Sequence, residues 1–218
     1  MTRPLVVAIS QRLVQNPTYP EVREGLDVRW GHLCAHLGLL PLVLPTSCDP
    51  AAYLDTFSPS ALILTGGNDL ASVSQDPLSK TRDEYEKRLL SLALSRDMAV
   101  LAVCRGMQLV AEVFGSSVEP VAGHSSGREH SLVVDRTSRF GRELGDRAPV
   151  RSYHDYAVTR APSGFVEVAR STDGVLEAME HGSKPVLCIM WHPEREETLA
   201  EADGALFRAL LGKKGRPT

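Results

Sequence analysis

Short apolar runs alternate along the chain with segments of helical periodicity. This pattern of hydrophobic and polar positions predicts strands that alternate with helices. Short continuous apolar runs, each ended by turn-forming or small polar residues, lie at 5–10, 39–45, 61–67 and 98–104. Segments with helical periodicity lie between them, at about 24–37, 50–56 and 82–96. Continuous apolar runs suit strands that are buried on both faces of a parallel sheet. Their alternation with helices predicts an α/β fold of the flavodoxin-like, doubly wound kind, with a mostly parallel central sheet and flanking helices.

The pattern changes after Gly115, where helical segments become fewer. Strand-like segments separated by turns lie at 131–135, 165–171, 174–180 and 185–191, and a last helix is predicted near 201–211. We interpret these segments as extra antiparallel strands in the C-terminal half, which extend or flank the sheet. Because the chain shows no internal repeat, low-complexity segment or evident linker, residues 1–218 are predicted to form a single domain.

Composition and charge favour a globular protein whose partners are neither nucleic acids nor membranes. The 218 residues are 43% hydrophobic and 23% charged, with a net charge of −3. A slightly acidic chain is not drawn to nucleic acid or anionic membranes, and the basic residues at 213–217 are interpreted as a solvated tail. No run of 18 apolar residues occurs, and Met1–Pro4 is too short for a signal peptide. The four cysteines form no CxxC pair, so we expect free thiols and a cytoplasmic location.

One cysteine, Cys104, lies where a predicted buried strand meets a predicted helix. Ala102 and Gly106 stand two residues away on either side, an arrangement typical of a nucleophile elbow, whose tight turn closes only beside small residues. The elbow would hold the thiol at the carboxyl end of the sheet, where open α/β folds bind ligands. The N–H groups at the start of the next helix would favour a thiolate. The alternative is a buried structural cysteine, which suits Cys34, Cys48 and Cys188.

A thiol nucleophile needs a base, and the segment MWHPERE supplies the best candidate. His192 follows an apolar strand, and Glu194 stands two residues further on, across Pro193. The proline fixes the local backbone, so the carboxylate can return toward the imidazole and orient it, as the third member of a triad does. The alternative is a histidine that only caps the end of a strand.

A pair of glycines ends an earlier apolar run, in the segment LTGGND at 64–69. Adjacent glycines leave backbone N–H groups free to approach a substrate oxygen, as an oxyanion hole requires. The alternative is an ordinary turn from a strand into a loop.

The three motifs together resemble the class I glutamine amidotransferase superfamily, and within it the stand-alone gamma-glutamyl hydrolases. LTGGND (64–69), AVCRGMQ (102–108) and WHPE (191–194) follow one another in the family's order, and the likeness spans about 5–211. Ala102 stands where the family usually has glycine, but alanine is still small enough for the turn. The resemblance implies a catalytic triad of Cys104, His192 and Glu194, with the backbone N–H groups of Gly67 and Arg105 as the oxyanion hole. It also implies a glutamyl-binding set, which comprises Gly66, Asn68, Gln108, Ser152, Tyr153, His154, Asp155 and Tyr156.

The activity that the resemblance implies is hydrolysis of a γ-glutamyl amide bond through a γ-glutamyl thioester, with release of glutamate and without a metal or organic cofactor. His124 and His130 are six residues apart and show no carboxylate–His pattern, so they are weak metal candidates and are assigned structural or rim roles. The polar segment at 11–30, on the ligand side of the sheet, is similar to a bacterial subgroup that includes hydrolases of γ-glutamyl-CDP-amidate in surface-polysaccharide pathways. Tyr19 and Arg23 in this segment are assigned to the leaving-group side, although a polar loop that only caps the first helix is the alternative.

Other readings of the same motifs stay open. Some members of the family hydrolyse γ-glutamyl-GABA. A glutaminase subunit that delivers ammonia to a synthase partner is a second alternative, and a non-catalytic binding module is a third that the intact triad argues against. For the hydrolase, the expected partner is a small-molecule γ-glutamyl substrate, and the chain is expected to be a monomer or a homodimer.

Overall fold

The computed structural model describes residues 4–145 and 149–212, and a large sheet lies at its centre. In chain order the strands and helices are β1 (Leu5–Ile9), β2 (Arg12–Gln15), β3 (Val22–Gly25), α1 (Val28–His36), β4 (Leu39–Val43), α2 (Pro50–Phe57), β5 (Ala61–Leu64), α3 (Pro77–Ser95), β6 (Ala99–Val103), α4 (Arg105–Val113), β7 (Val118–Pro120), β8 (Arg128–His130), β9 (Leu132–Val134), α5 (Arg139–Leu144), β10 (Val150–Ser152), β11 (Tyr156–Val158), β12 (Phe165–Ser171), β13 (Leu176–His181), β14 (Val186–Ile189), a 3-10 turn (Pro193–Arg195) and α6 (Glu201–Leu211).

The eight strands of the central sheet follow the order β4-β1-β5-β6-β14-β13-β12-β9. The first five are parallel to one another, whereas β13, β12 and β9 add antiparallel pairs at one side. This arrangement confirms the predicted α/β fold, with its mostly parallel sheet and its antiparallel strands from the C-terminal half. Three small two-stranded ribbons, β2–β3, β8–β10 and β7–β11, stand outside the sheet.

Helices cover both faces of the sheet because its central strands are apolar on both sides. Every residue of β5 and β6 is buried. Along β1 the side chains alternate: Val7 and Ile9 join the core beneath α1 and α6, whereas Ala8 joins the core beneath α3 and α4. A continuous apolar run is therefore what this sheet requires of its inner strands.

Some predicted boundaries were wrong, for local reasons. The helix expected from residue 24 begins at Val28, because Asp27 caps it and residues 24–25 belong to strand β3. The helix expected from 82 begins at Pro77, where Asp76 accepts a hydrogen bond from the N–H of Leu78. Helix α5 and the ribbon strands β2, β3, β7, β8, β10 and β11 were not predicted.

No helix in the described ranges is long and apolar enough to cross a membrane. The basic segment at 213–217, expected to form a tail, lies outside the described residues. The last predicted helix is confirmed as α6.

Candidate active site

Cys104 occupies a sharp turn between β6 and α4. Its φ of 53° lies in the left-handed region, which a residue with a side chain rarely adopts. The turn also brings the start of α4 against the end of β5, since a Cβ on Gly106 would lie 2.4 Å from the carbonyl oxygen of Leu64. The structure therefore has the strained strand-to-helix geometry of an elbow, with the cysteine at the carboxyl end of the parallel strands.

His192 and Glu194 form a buried pair beside this turn. Nδ1 of His192 lies 2.6 Å from Oε1 of Glu194, and both side chains are only 2% exposed. An ionised Glu194 can only accept, so we assign the Nδ1 proton to the bond between them. Nε2 of His192 makes no hydrogen bond within the described ranges. This nitrogen and Cβ of Cys104 border the same space next to Gly66, since a Cβ on Gly66 would lie 3.6 Å from each of them.

The surroundings of His192 favour its charged form. Burial opposes the imidazolium, but the negative charge of Cys104 and the carboxylate of Glu194 outweigh burial and raise the pKa of His192 to about 9. A histidine with the ordinary pKa of about 6.5 would be mostly neutral at pH 7. The ring is therefore suited to hold a proton next to the sulfur at neutral pH.

The glycine pair after β5 lies against the same histidine. A Cβ on Gly66 would come within 2.7 Å of Cε1 of His192, so a larger residue would displace the ring. Gly67 has a φ of +80°, which only glycine adopts freely. The carbonyl oxygen of Gly66 accepts a hydrogen bond from Nη1 of Arg82 at 3.0 Å. Since the carbonyl and the next N–H point in opposite directions across a planar peptide, this bond turns the N–H of Gly67 away from Arg82.

Arg82 belongs to a buried network of charges that the sequence analysis missed. Its Nε donates to Oε1 of Glu86 at 2.9 Å, and both side chains are 0% exposed. The guanidinium of Arg105 contacts the same Glu86 and also Asp83. Burial lowers the pKa of Arg82 to about 10, with Glu86 opposing the shift, so Arg82 is still a cation at neutral pH. The network links α3, the start of α4 and the glycine loop.

The sequence contains one pattern that is consistent with this charge network. Arg82, Asp83 and Glu86 stand in the stretch RDEYE, at spacings that put Arg82 and Glu86 on one face of a helix. Charges on an amphipathic helix usually face solvent, so this spacing alone does not indicate burial.

A groove of about 270 Å³ opens beside the thiol. It brings together Gly67, Asn68, Cys104, Arg105, Gln108, Tyr153, His154 and Asp155 from the predicted site, and adds Arg12 and Asp69. Gly66, His192 and Glu194 line a narrower adjoining cleft of about 50 Å³ together with Arg12. The structure thus places the predicted triad, glycine loop and most of the predicted binding set around one surface depression.

Tyr153 closes this depression on one side. Its ring meets the ring of His192 edge-on, with centroids 5.6 Å apart. The guanidinium of Arg195 lies 4.3 Å above the same tyrosine ring. Tyr153 is 37% exposed, so it can contact a ligand while holding the histidine in place.

Ser152 and Tyr156 do not line the groove, in contrast to the prediction. Ser152 is 0% exposed, and its Oγ lies 3.5 Å from Nδ1 of His124 and 3.4 Å from the ring nitrogens of His130. It faces the interior because side chains alternate along an extended segment, and its neighbour Tyr153 faces the groove. The carbonyl oxygen of Tyr156 accepts a hydrogen bond from Nε2 of Gln108 at 2.7 Å, which ties the segment to α4.

Asn68 lines the groove but also has a structural partner. Its side-chain amide pairs with the backbone of Leu13, accepting from N at 3.1 Å and donating to O at 3.0 Å. These bonds attach the β2–β3 hairpin to the glycine loop.

Tyr19 and Arg23 lie on that hairpin but not in the groove. Nη2 of Arg23 donates to the hydroxyl of Tyr19 at 2.7 Å, and Nε bonds Glu21 at 2.7 Å, on an exposed surface. The hairpin residue that does reach the groove is Arg12. Arg12 was not predicted as a site residue, because nothing in its local pattern distinguishes it from other polar residues of the segment.

Three further polar residues, His124, His130 and Glu177, gather beside the groove, behind His154. His124, His130 and His154 surround Oε1 of Glu177, a fully buried carboxylate on β13. Glu177 was not predicted as a site residue, because on sequence it reads as one polar position in an ordinary strand.

Comparisons with known proteins agree with this arrangement. Residues 6–194 match the Peptidase C26 family. The chain is 32% identical to the gamma-glutamyl-CDP-amidate hydrolase of Campylobacter jejuni, over 89% of this chain and 92% of that protein. It is 30% identical to a glutamine-hydrolysing GMP synthase subunit of Methanothermobacter thermautotrophicus, over 73% of this chain and 78% of that protein.

The fold is also found among solved structures. A glutamine amidotransferase from Thermotoga maritima superposes with a TM-score of 0.65 at 17% identity, over 88% of this chain and 77% of that one. At this level of identity the likeness concerns the fold alone.

Proposed function

Because the chain belongs to the Peptidase C26 family, an amidotransferase-like family of amide hydrolases, we propose that it hydrolyses the γ-glutamyl amide bond of a small γ-glutamyl conjugate, with Cys104 as the nucleophile. The observation that carries the proposal is the strained turn at Cys104, φ 53°, next to the buried His192–Glu194 pair, whose Nδ1 and Oε1 are 2.6 Å apart. A structural cysteine would need neither the strain nor a charged histidine beside it.

The first half of the reaction forms a thioester. The Cys104 thiolate attacks the γ-carbonyl carbon, and the carbonyl electron pair moves onto oxygen as the tetrahedral intermediate forms. The N–H groups of Gly67 and Arg105 are the donors to this oxygen. Arg105 is the first residue of α4, so its N–H has no partner within the helix, and the Arg82 bond to Gly66 orients the N–H of Gly67. His192 then gives its proton to the leaving nitrogen as the C–N bond breaks.

The second half regenerates the enzyme. Neutral His192 takes a proton from a water molecule, the hydroxide attacks the thioester carbonyl, and collapse of the intermediate releases glutamate and the thiolate. Glu194 holds the ring through Nδ1, so Nε2 serves in both proton transfers. Charge and atoms balance without a cofactor in any step.

The groove offers a charged group to one end of a glutamyl moiety, because Asp155 supplies a carboxylate toward an α-amino group. Gln108 is already bonded to the carbonyl oxygen of Tyr156, so it supports the wall of the groove.

A phosphoryl-bearing leaving group, as in γ-glutamyl-CDP-amidate, suits the cationic border of the site. Arg12 and Arg195 both line the narrow cleft that adjoins His192. Arginine binds phosphate oxygens in bidentate fashion, and two such groups near the leaving nitrogen favour an anionic amide over a neutral one. This is the substrate class we propose.

A second candidate function is a glutaminase subunit that delivers ammonia to a synthase. The similarity to the GMP synthase subunit supports it, since that protein belongs to a glutamine-hydrolysing enzyme by its name. The two functions share the chemistry at Cys104 and differ in the leaving group and in the need for a partner.

The test is release of glutamate by the purified chain from γ-glutamyl-CDP-amidate, γ-glutamyl-GABA and glutamine. We expect kcat/KM for the CDP-amidate to exceed that for glutamine at least about tenfold, which is about 1.4 kcal/mol in transition-state binding. Mass spectrometry after a rapid acid quench should find a glutamyl adduct on the peptide that contains Cys104. Cys104→Ala is the control for both measurements.

Two outcomes would contradict the hydrolase. One is a chain that is inert on every conjugate and hydrolyses glutamine only after a synthase partner is added. The other is full glutamate release by Cys104→Ala, which would remove the cysteine from the chemistry.

A further inference from the structure

The cluster behind His154 has a geometry that hydrogen bonding alone does not explain. We propose that His124, His154 and Glu177 form a binding site for a divalent transition-metal ion of the zinc class, with His130 as a fourth ligand. The site is separate from the catalytic groups and holds the segment that carries Tyr153, His154 and Asp155 against the groove.

The candidate ligands are buried and converge on one point. The side chains of His124, His154 and Glu177 are at most 2% exposed, and one ligand atom from each lies within 4.8 Å of the others. Oε1 of Glu177 lies 3.2 Å from Nδ1 of His124 and 3.8 Å from Nε2 of His154. Donor atoms around a tetrahedral zinc ion, each about 2.0–2.1 Å from the metal, are about 3.3 Å apart. The distance between Glu177 and His124 is that of neighbouring zinc ligands, and the third ligand atom lies close enough to approach the same ion.

His130 stands at the open side of the cluster. Its Nε2 lies 3.1 Å from Oε1 of Glu177, and its side chain is 12% exposed. The ring is close enough to Glu177 to join the other three ligands around a bound ion, and its exposure marks the side from which an ion would enter.

In His124 and His154, the ring nitrogen that points away from the cluster has a hydrogen-bond acceptor, as it does in metal-binding histidines. Nε2 of His124 bonds Oδ2 of Asp173 at 3.0 Å, and Nδ1 of His154 bonds the carbonyl oxygen of Tyr156 at 3.0 Å. A carbonyl oxygen only accepts, so Nδ1 of His154 carries a proton and a neutral ring turns the lone pair of Nε2 toward Glu177. Such outer acceptors fix the ring orientation and strengthen the nitrogen as a ligand.

The inner atoms are left without adequate partners. Nε2 of His154 and both carboxylate oxygens of Glu177 make no hydrogen bond among the described residues, although all are buried. One carboxylate oxygen cannot accept good hydrogen bonds from three ring nitrogens at once, whereas a single cation satisfies all the lone pairs that converge on it. Imidazole and carboxylate ligands in this number favour zinc, cobalt or nickel over calcium or magnesium.

Cobalt(II) is the probe, because its absorption reports the number and type of ligands. We expect the purified full-length chain, stripped with a chelator, to bind one Co²⁺ with the absorption of a tetrahedral site that has nitrogen and oxygen ligands. Zn²⁺ should displace it at equimolar concentration. Glu177→Gln and His130→Asn should each weaken Co²⁺ binding at least about tenfold, and circular dichroism should show that each variant is folded. His130→Asn keeps the test informative if Glu177→Gln fails to fold, because His130 is the partly exposed ligand.

Two controls separate this site from other metal-binding groups of the chain. His32 and His36 are exposed on α1 at a spacing of four residues, so a double His32→Gln, His36→Gln variant should bind Co²⁺ as the unchanged chain does. Cys104→Ala should also keep the Co²⁺ spectrum. Equal Co²⁺ binding by the unchanged chain, His130→Asn and Glu177→Gln would overturn the proposal. So would a thiolate-to-cobalt absorption band that Cys104→Ala abolishes. A folded chain that binds no Co²⁺ would also overturn it. The readout is metal binding, so the result does not depend on whether the proposed hydrolase activity is found.

Discussion

Nη1 of Arg82 donates a hydrogen bond to the carbonyl oxygen of Gly66 at 3.0 Å, from a side chain that is completely buried. The same guanidinium also bonds Oε1 of Glu86, so the peptide that would supply an oxyanion donor is anchored to a charge network within α3. Arg82 does not line the groove beside Cys104, and we regard it as a positioning residue that acts through Gly67.

Replacement of Arg82 by lysine should therefore lower kcat with little effect on KM. Lysine keeps the positive charge but loses the planar fork that contacts the loop and Glu86 together. Since loss of one oxyanion donor costs about 10²–10³ in kcat, a misplaced donor should cost at least about tenfold. Arg88→Lys is the control, because Arg88 lies on the same helix with a 57% exposed side chain. A large rise in KM at unchanged kcat would instead place Arg82 in substrate binding.

The strain at Cys104 can be measured apart from its chemistry. Cys104→Ala and Cys104→Gly should both abolish turnover, but glycine adopts a φ of 53° without steric cost. In urea titrations, we expect the free energy of unfolding of Cys104→Gly to be about 1 kcal/mol higher than that of Cys104→Ala. Equal stability of the two variants would mean that the turn is not strained.

The close approach of α4 to β5 predicts a different cost at Gly106. A Cβ there would lie 2.4 Å from the carbonyl oxygen of Leu64, so Gly106→Ala should lower the free energy of unfolding by about 1–3 kcal/mol. Gly31 is also helical, but a Cβ on it would meet nothing within 4 Å, so Gly31→Ala should raise that free energy by about 0.5–1 kcal/mol. Equal effects at the two glycines in chemical denaturation would contradict the close contact.

The charged state of His192 predicts the alkaline side of the pH profile. Its pKa is raised to about 9, so the imidazolium that must protonate the leaving nitrogen persists through neutral pH and is lost as pH rises through about 9. We expect kcat/KM to fall above that pH. Glu194→Gln removes one of the negative charges that raise this pKa, so the fall should begin at lower pH, together with a lower maximum. An unmoved alkaline limb in Glu194→Gln would show that the limb belongs to another group.

Arg12 and Arg23 offer a matched pair for the leaving-group side. Arg12 borders the groove and the cleft, whereas Arg23 bonds Tyr19 and Glu21 on the exposed part of the same hairpin. Arg12→Ala should lower kcat/KM for a phosphoryl-bearing conjugate at least about tenfold, as expected for loss of a charge-assisted hydrogen bond, with less effect on glutamine. Arg23→Ala should change either value less than about threefold. If Arg23→Ala lowered kcat/KM for the phosphoryl-bearing conjugate more than Arg12→Ala did, the sequence-based assignment of Tyr19 and Arg23 would be correct instead.

The features predicted most reliably from the sequence are those that a short stretch of residues determines by itself. The inner strands are continuous apolar runs, and the motifs at Cys104, His192 and Gly67 stand directly at strand ends, so the sheet order brings them together without further information. The start of α3 was predicted too late. Asp76 caps this helix and Pro77 is its first residue, but the apolar periodicity that was used for the prediction begins only further along the chain.

What the sequence could not predict are contacts between residues far apart in the chain. Glu177 on β13 meets His124 from the loop before β8 at 3.2 Å, although 53 positions separate them in the chain. Ser152 was expected in the groove, but the alternation of side chains along its strand turns it inward. Arg12 reaches the groove because the β2–β3 hairpin folds back over the glycine loop, where Asn68 holds Leu13.

Glu86 is shared by two buried guanidinium groups, those of Arg82 and Arg105. Exchange of this carboxylate for a neutral residue would take one charged partner from each cation at once, and breaking one buried ion pair already costs about 3–5 kcal/mol. We therefore expect position 86 to change most easily together with one of the two arginines. Redesign of the site around Cys104 should treat the three side chains as one unit and vary the hairpin around Arg12 instead.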